Sequence, residues 1–220
     1  MSTIVIVGVG DVGSAVAPLL SDAGHRVRLA TRRTAAQLAD QGLADLVARP
    51  GVSVVPVAGA VRDADAVLLT VPYHAAADAL DELGDLTGVL VLDATNYNSE
   101  RDGDALDPGP AGTTAVLAAR YPAAVWTKAF NMLWAGWLRS DARPGGVRER
   151  VVLIAADDDA AAGAVAQLVH DAGFVPFRTG SLDQARDRQL EGTPAWNRRL
   201  TAAGAAGLLP DSPGVVAVGT

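Results

Sequence analysis

No cysteine occurs in the 220 residues. That excludes a disulfide scaffold, a thiolate nucleophile and a zinc–thiolate site. Lysine is almost as scarce, since Lys128 is the only one among 18 basic residues. Aromatic residues make up 5% of the chain and charged residues 20%. No apolar run approaches the roughly 20 residues that a membrane span needs. The opening MSTIVIVGVGDVG has no basic leader and enters a strand at once, so a cytoplasmic protein with no membrane partner is expected. Positive charge is short as well: the formal net charge is -7. Such a chain has no basic stripe for a phosphate backbone, so no nucleic-acid partner is expected.

Half of the residues are hydrophobic, enough for one sizeable core. Short β-branched runs alternate with Ala/Leu-rich helical patterns. The alternation predicts an α/β fold: a Rossmann-like, doubly wound, mostly parallel sheet with a small C-terminal α/β extension. Strands are expected at Thr3–Val7, Arg26–Ala30, Val52–Val57, Ala66–Val71, Val89–Asp93, Val125–Ala129, Val151–Ala155 and Phe174–Arg178. Val12, Val16, Leu19, Leu20 and Ala23 share one face of a first helix, which Gly24 ends in a left-handed conformation. Further helices are expected at Ala35–Ala48, Ala75–Leu83, Thr113–Arg120, Asp159–Ala172, Leu182–Gln189 and Trp196–Ala203. DARPGG, Asp141–Gly146, marks a boundary between residues 1–140 and 147–220 within one compact unit.

Gly8-x-Gly10-x-x-Gly13 follows the first strand and opens the first helix. Gly8 suits the tight turn, Gly10 lets a diphosphate approach the backbone, and Gly13 lets helix and strand pack closely. Val9, Asp11 and Val12 complete this cofactor loop, with Asp11 expected to face solvent or cap the helix. After the second strand, LATRR supplies Thr31, Arg32 and Arg33 where NAD sites usually carry an acidic residue. A hydroxyl and two guanidiniums there match the 2′-phosphate of NADP(H).

Beyond the strand ends stand TVPYHAA, DATNYN and TKAFNMLWAGW. Val71, Pro72 and Tyr73 are expected to run along the cofactor, and His74 to lie near the nicotinamide ribose or to serve as a helix-start surface residue. Asn96 and Asn131 can orient an amide or carbonyl, or stabilise their own turns. Trp126, Trp134 and Trp137 crowd this edge as core or as a platform for a flat substrate. Tyr-x-x-x-Lys is absent and no carbonyl-reducing acid stands out, which leaves His74, Tyr73 and Lys128 as candidate proton donors. Asp157–Asp159 read as a helix start, and no metal is expected.

In order and spacing, the glycine loop, TRR, TVPYHAA, KAFN (Lys128–Asn131) and GSLDQAR (Gly180–Arg186) resemble the F420-dependent NADP oxidoreductase family. The resemblance implies NADP(H) contacts at Gly8–Gly13, Thr31, Arg32, Tyr73, Ala77 and Ala135. It further implies coenzyme F420 over the nicotinamide, in a cleft that the C-terminal extension partly closes. Arg33 takes the place of a lysine that members carry at the position of Ala36, and Asn131 stands where members have histidine. The substrate-region motif HTIPA is here NMLWA. With a deazaflavin acceptor no general acid is needed, because hydride passes directly between two stacked rings. A small C=N, C=C or C=O substrate, or a non-catalytic NADP(H) sensor, are the other readings. The expected partner is thus F420 or a small-molecule substrate, with a homodimer allowed.

Overall fold

The computed structural model describes residues 1–219, Arg186 and Asp187 by their backbone alone. In chain order the main elements begin with β1 (Thr3–Val7), α1 (Asp11–Asp22), β2 (Arg26–Ala30), α2 (Ala35–Leu38), α3 (Ala44–Val47), β3 (Val52–Val55) and β4 (Ala66–Leu69). They continue with α4 (Ala76–Leu83), β5 (Leu90–Asp93), α5 (Ser99–Asp102), α6 (Gly112–Arg120), β6 (Val125–Ala129) and α7 (Ala135–Asp141). The last are β7 (Val151–Ala156), α8 (Asp159–Asp171), β8 (Val175–Gly180), α9 (Leu182–Arg188), α10 (Ala202–Leu208) and β9 (Gly214–Val215).

The strands form one sheet in the order β3-β2-β1-β4-β5-β6-β7-β8-β9. The first six are parallel, as in a doubly wound dinucleotide fold. All five residues of β1 are buried, as a central parallel strand covered on both faces requires. Ile4 and Ile6 face a core shared with α1, α2, α3, α7 and α8. Val5 and Val7 face the opposite core, with α4, α6 and α9. Each fully buried Val, Leu or Ile contributes about 1.5–3 kcal/mol relative to exposure, so the alternation along β1 fixes which helices cover which face.

β7 runs antiparallel to β6, and β8 runs parallel to β7. Both therefore end at the edge of the sheet opposite to the carboxyl ends of β1–β6. Helix α9 climbs back across the sheet, packing on α6, and delivers Gln189–Glu191 to those carboxyl ends.

Three sequence expectations are corrected. The helix expected over Ala35–Ala48 is broken into α2, a wider turn Ala39–Leu43 and α3, because Gly42 takes φ +84°. No helix spans Trp196–Ala203: Asn197 has φ +48°, and Thr201 caps a helix that starts only at Ala202. Helix α7 stands at Ala135–Asp141, where no helix was expected. Gly24 does end α1 at φ +87°.

Candidate active site

The glycine loop is built by close approach. A Cβ on Gly13 would overlap the Gly8 carbonyl oxygen and stand 2.8 Å from Thr70 Oγ1, so only glycine lets α1 sit this near β1 and β4. Gly8 turns at φ +97°. Thr70 braces it from β4, its hydroxyl donating to the carbonyls of Val7 at 3.0 Å and Gly8 at 2.6 Å. Gly10 differs: a Cβ there meets nothing within 4 Å. Open space at the N-terminus of a helix is the cradle that a diphosphate needs.

Next to this cradle lies a cavity of about 340 Å³. Its wall brings together Gly8, Val9, Gly10, Thr31, Arg32, Arg33, Val71 and Pro72 from the expected set. Arg32 Nη2 reaches Glu82 Oε2 at 2.9 Å, while Arg33 Nη2 donates to the Val9 carbonyl at 2.9 Å and its Nη1 to Gln41. Thr34 caps α2 in a capping box with Gln37, so the two arginines sit just before a helix N-terminus, where positive charge opposes the dipole. Glu82 relieves that opposition. The residue types here fit a dinucleotide carrying a 2′-phosphate, with bidentate donors beside the diphosphate cradle.

A second cavity, of about 510 Å³, lies beyond the ends of β5 and β6, lined by Asn96, Tyr97, Thr113, Leu190 and three acidic residues among others. Tyr97 on its wall meets the buried Tyr73 edge to face, with ring centroids 6.4 Å apart. In the turn after β6, Phe130 is held at φ +62°, a conformation that costs a non-glycine residue about 1–3 kcal/mol. This turn after β6 places Asn131, whose Nδ2 donates to Asn96 Oδ1 at 3.1 Å and to the Gln189 carbonyl at 2.7 Å. Asn96 Nδ2 answers by donating to the Asn131 carbonyl at 2.8 Å.

Lys128 does not occupy the place of a proton donor. It is 1% exposed, with Nζ 3.4 Å from Asp93 Oδ2 and donating to the Thr95 carbonyl, Thr113 Oγ1 and Thr114 Oγ1 at 3.0–3.2 Å. Burial pushes its ammonium below the ordinary lysine value against the pull of Asp93. The group anchors the end of β5 to the start of α6.

His74 is half-exposed and paired. Its Nδ1 lies 2.7 Å from Asp102 Oδ1, and because a carboxylate only accepts, Nδ1 carries the proton and Nε2 is left as the free nitrogen. The Asp102 side chain is fully buried. Burial alone would raise its carboxyl, but hydrogen bonds from Arg101, the Asn98 amide and the ring and amide of His74 outweigh it and hold the group well below the usual carboxylate range.

The remaining expected residues stand outside the first cavity's wall. Asp11 is exposed and makes no cap hydrogen bond; Val12 is half-buried. Tyr73 is buried, and burial, then Asp93 and Asp102, raise its phenol. Ala77 accepts at its carbonyl from the Tyr121 hydroxyl, and Ala135 is buried at the start of α7. Trp126 is core, whereas Trp134 is 63% exposed and edge-on to Trp137 at 6.1 Å. Asp158 caps α8, and Asp159 pairs with Arg178. The Arg186 side chain of the GSLDQAR stretch lies outside the described residues.

Sequence reasoning missed Ala75, Asp78, Ala79 and Glu82, which line the first cavity. Their i, i+3, i+4, i+7 spacing marks one helical face and was the available signal. It missed Asp102 and Gln189 too, whose partners are 28 and 58 residues away; no local pattern points to either.

The profile of the family described as NADP oxidoreductase, coenzyme F420-dependent, matches residues 3–97. A hypothetical protein from Sinorhizobium meliloti is similar in structure at TM-score 0.78 and 30% identity, over 91% of this chain and 96% of that one. A provisionally assigned F420-dependent NADP-reductase from Arthrobacter sp. FB24 is similar at TM-score 0.73 and 24% identity, over 91% of this chain and 100% of that one. A reductive aminase from Aspergillus terreus shares the fold at TM-score 0.59 and 17% identity, over 84% of this chain and 57% of that one. No match is found among curated proteins. With its glycine cradle and the folded likeness extending over nine-tenths of its length, the chain belongs to the F420-dependent NADP oxidoreductase family and is an NAD(P)-dependent oxidoreductase.

Proposed function

We propose that the protein binds NADP(H) and transfers a hydride between it and an acceptor held beyond the ends of β5 and β6. One observation carries this reading: Thr31, Arg32 and Arg33 line the same cavity as Gly8 and Gly10. The diphosphate rests on the amides of Gly8–Gly13, and the 2′-phosphate takes the guanidinium that Glu82 now holds. Bound NADPH supplies the hydride. Tyr73, Ala77, Asn96 and Ala135 flank the nicotinamide end, Asn131 fixes the floor between Asn96 and Gln189, and His74 offers Nε2 at the rim. Residues 147–220 close the cleft through α9.

The family favours coenzyme F420 as the acceptor. The second reading, a small unsaturated substrate, is supported by the separate polar cavity beside Asn96. Fluorescence titration with NADPH and NADH tests the cofactor: clearly tighter NADPH binding is expected, and equal affinities contradict the reading. Turnover of NADPH with oxidised F420, followed by deazaflavin absorbance, tests the acceptor. No reduction at saturating cofactor removes F420.

A further inference from the structure

Strand β6 ends at Ala129, and the chain turns at Phe130 before starting α7. Helix α7 packs on α1, with Ala135 and Leu138 buried in the core that also holds Val16 of α1. Their spacing fixes the rotation of the helix, and the next residue, Arg139, is left exposed beside the first turn of α1. Its Nη2 donates to the Asp11 carbonyl at 3.1 Å and to Ser14 Oγ at 3.0 Å. The Ser14 hydroxyl gives its own proton to the Gly10 carbonyl at 2.6 Å, so it meets the guanidinium as an acceptor. One hydroxyl thus separates Arg139 from Gly10, the residue whose open side forms the diphosphate cradle.

The charge of Arg139 is not balanced. Asp11 offers it a carbonyl rather than its carboxylate, and no acid pairs with it among the described residues. Only neutral acceptors satisfy Nη2, while Nε and Nη1 make no hydrogen bond among the described residues. A cation beside the first turn of a helix also opposes the dipole, which favours anions there. Tying α7 to α1 would need a donor, not a charge. An anion seated on the end of α1 removes the conflict, because the helix amides and the guanidinium then face the same negative group. The arginines after β2 are otherwise engaged: Glu82 holds Arg32, and Arg33 donates to the Val9 carbonyl and Gln41.

We propose that Arg139 is a binding residue for the diphosphate of the dinucleotide, a role that rests on the NADP(H) assignment above. The N–H groups left on Nε and Nη1 donate to phosphate oxygens from the α7 side, while the amides of the glycine loop donate from the end of α1. This contact takes no part in reading the 2′-phosphate. Arg139 serves affinity for the dinucleotide as such, and Arg32 serves the choice between its two forms.

Fluorescence titration of the full chain with NADPH tests the contact. Arg139→Gln keeps a donor for the Asp11 carbonyl and Ser14 but loses the charge, and is expected to weaken NADPH about tenfold, the worth of a charged hydrogen bond. Arg139→Lys restores the charge and should recover part of that affinity. In an Arg32→Ala background, Arg139→Gln should weaken NADPH by the same factor as it does alone, because the two cations meet different phosphates. A role confined to docking α7 gives the opposite result, with Arg139→Gln binding as the parent does. That result, Arg139→Lys binding no better than Arg139→Gln, or a factor that disappears without Arg32 overturns the proposal. A parent protein that binds no NADPH removes the cofactor assignment and this contact with it, whereas NADPH binding that Arg139→Gln leaves intact removes the contact alone.

Discussion

Arg32 and Glu82 face each other at 2.9 Å across the wall of the first cavity, from the end of β2 and the last turn of α4. The guanidinium is thus engaged by a carboxylate before any phosphate arrives, and cofactor binding becomes an exchange of one anion for another. Glu82→Gln is expected to tighten NADPH binding about two- to fivefold, the worth of a largely exposed ion pair, and to leave NADH binding nearly unchanged. Arg32→Ala should weaken NADPH binding by about 1.5–3 kcal/mol for a lost charged hydrogen bond, with little effect on NADH. Parallel fluorescence titrations check both.

Gly10 and Gly13 separate binding from folding. Gly13→Ala forces a methyl into the Gly8 carbonyl and Thr70, so a stability loss of about 1–3 kcal/mol is expected from overpacking. Gly10→Ala meets open space; its melting temperature should stay close to that of the parent while NADPH affinity falls about tenfold, because the methyl occupies the diphosphate's path. Thermal melts and titrations on the same samples distinguish the two.

Lys128→Met is expected to destabilise the fold by about 3–5 kcal/mol, since it leaves Asp93 buried without its counter-charge. Adding Asp93→Asn should recover part of that loss. Urea unfolding of the single and double variants measures it. A Lys128→Met protein that keeps its stability yet loses turnover would return this residue to the chemistry.

Asp102 predicts an acid limb. Its folded carboxyl lies well below its unfolded value, so its contribution is fully present above about pH 4 and is lost as pH falls further, through the folded value. Asp102→Asn should lower stability at pH 7 by about 2–3 kcal/mol and flatten the loss below pH 4. Denaturant midpoints from pH 2.5 to 7 check the slope.

Much of this was readable in the sequence because it is local. Periodicity placed β1–β8 and α1 within a few residues, and Gly8-x-Gly10-x-x-Gly13 with Thr31–Arg33 marked one cavity. The failures have physical causes. A single glycine, Gly42, at positive φ breaks the long helix expected after β2. Lys128 looked available because sequence does not show burial, and its four acceptors come from two separate segments, the end of β5 and the start of α6. Glu191 and Gln189 reach the site only because the sheet reverses at β7.

That reversal separates two kinds of choice along the chain. On the proposed function, what selects the dinucleotide is encoded between β1 and α4, in Gly8–Gly13, Thr31–Arg33 and Glu82. On the same reading the residues toward the hydride's partner come later, in the α5–α6 segment and in the few residues after α9, which arrive from a part of the sheet running the other way. If that division holds, the two halves can drift independently, the Gln189–Glu191 turn changing while the nucleotide half stays as it is.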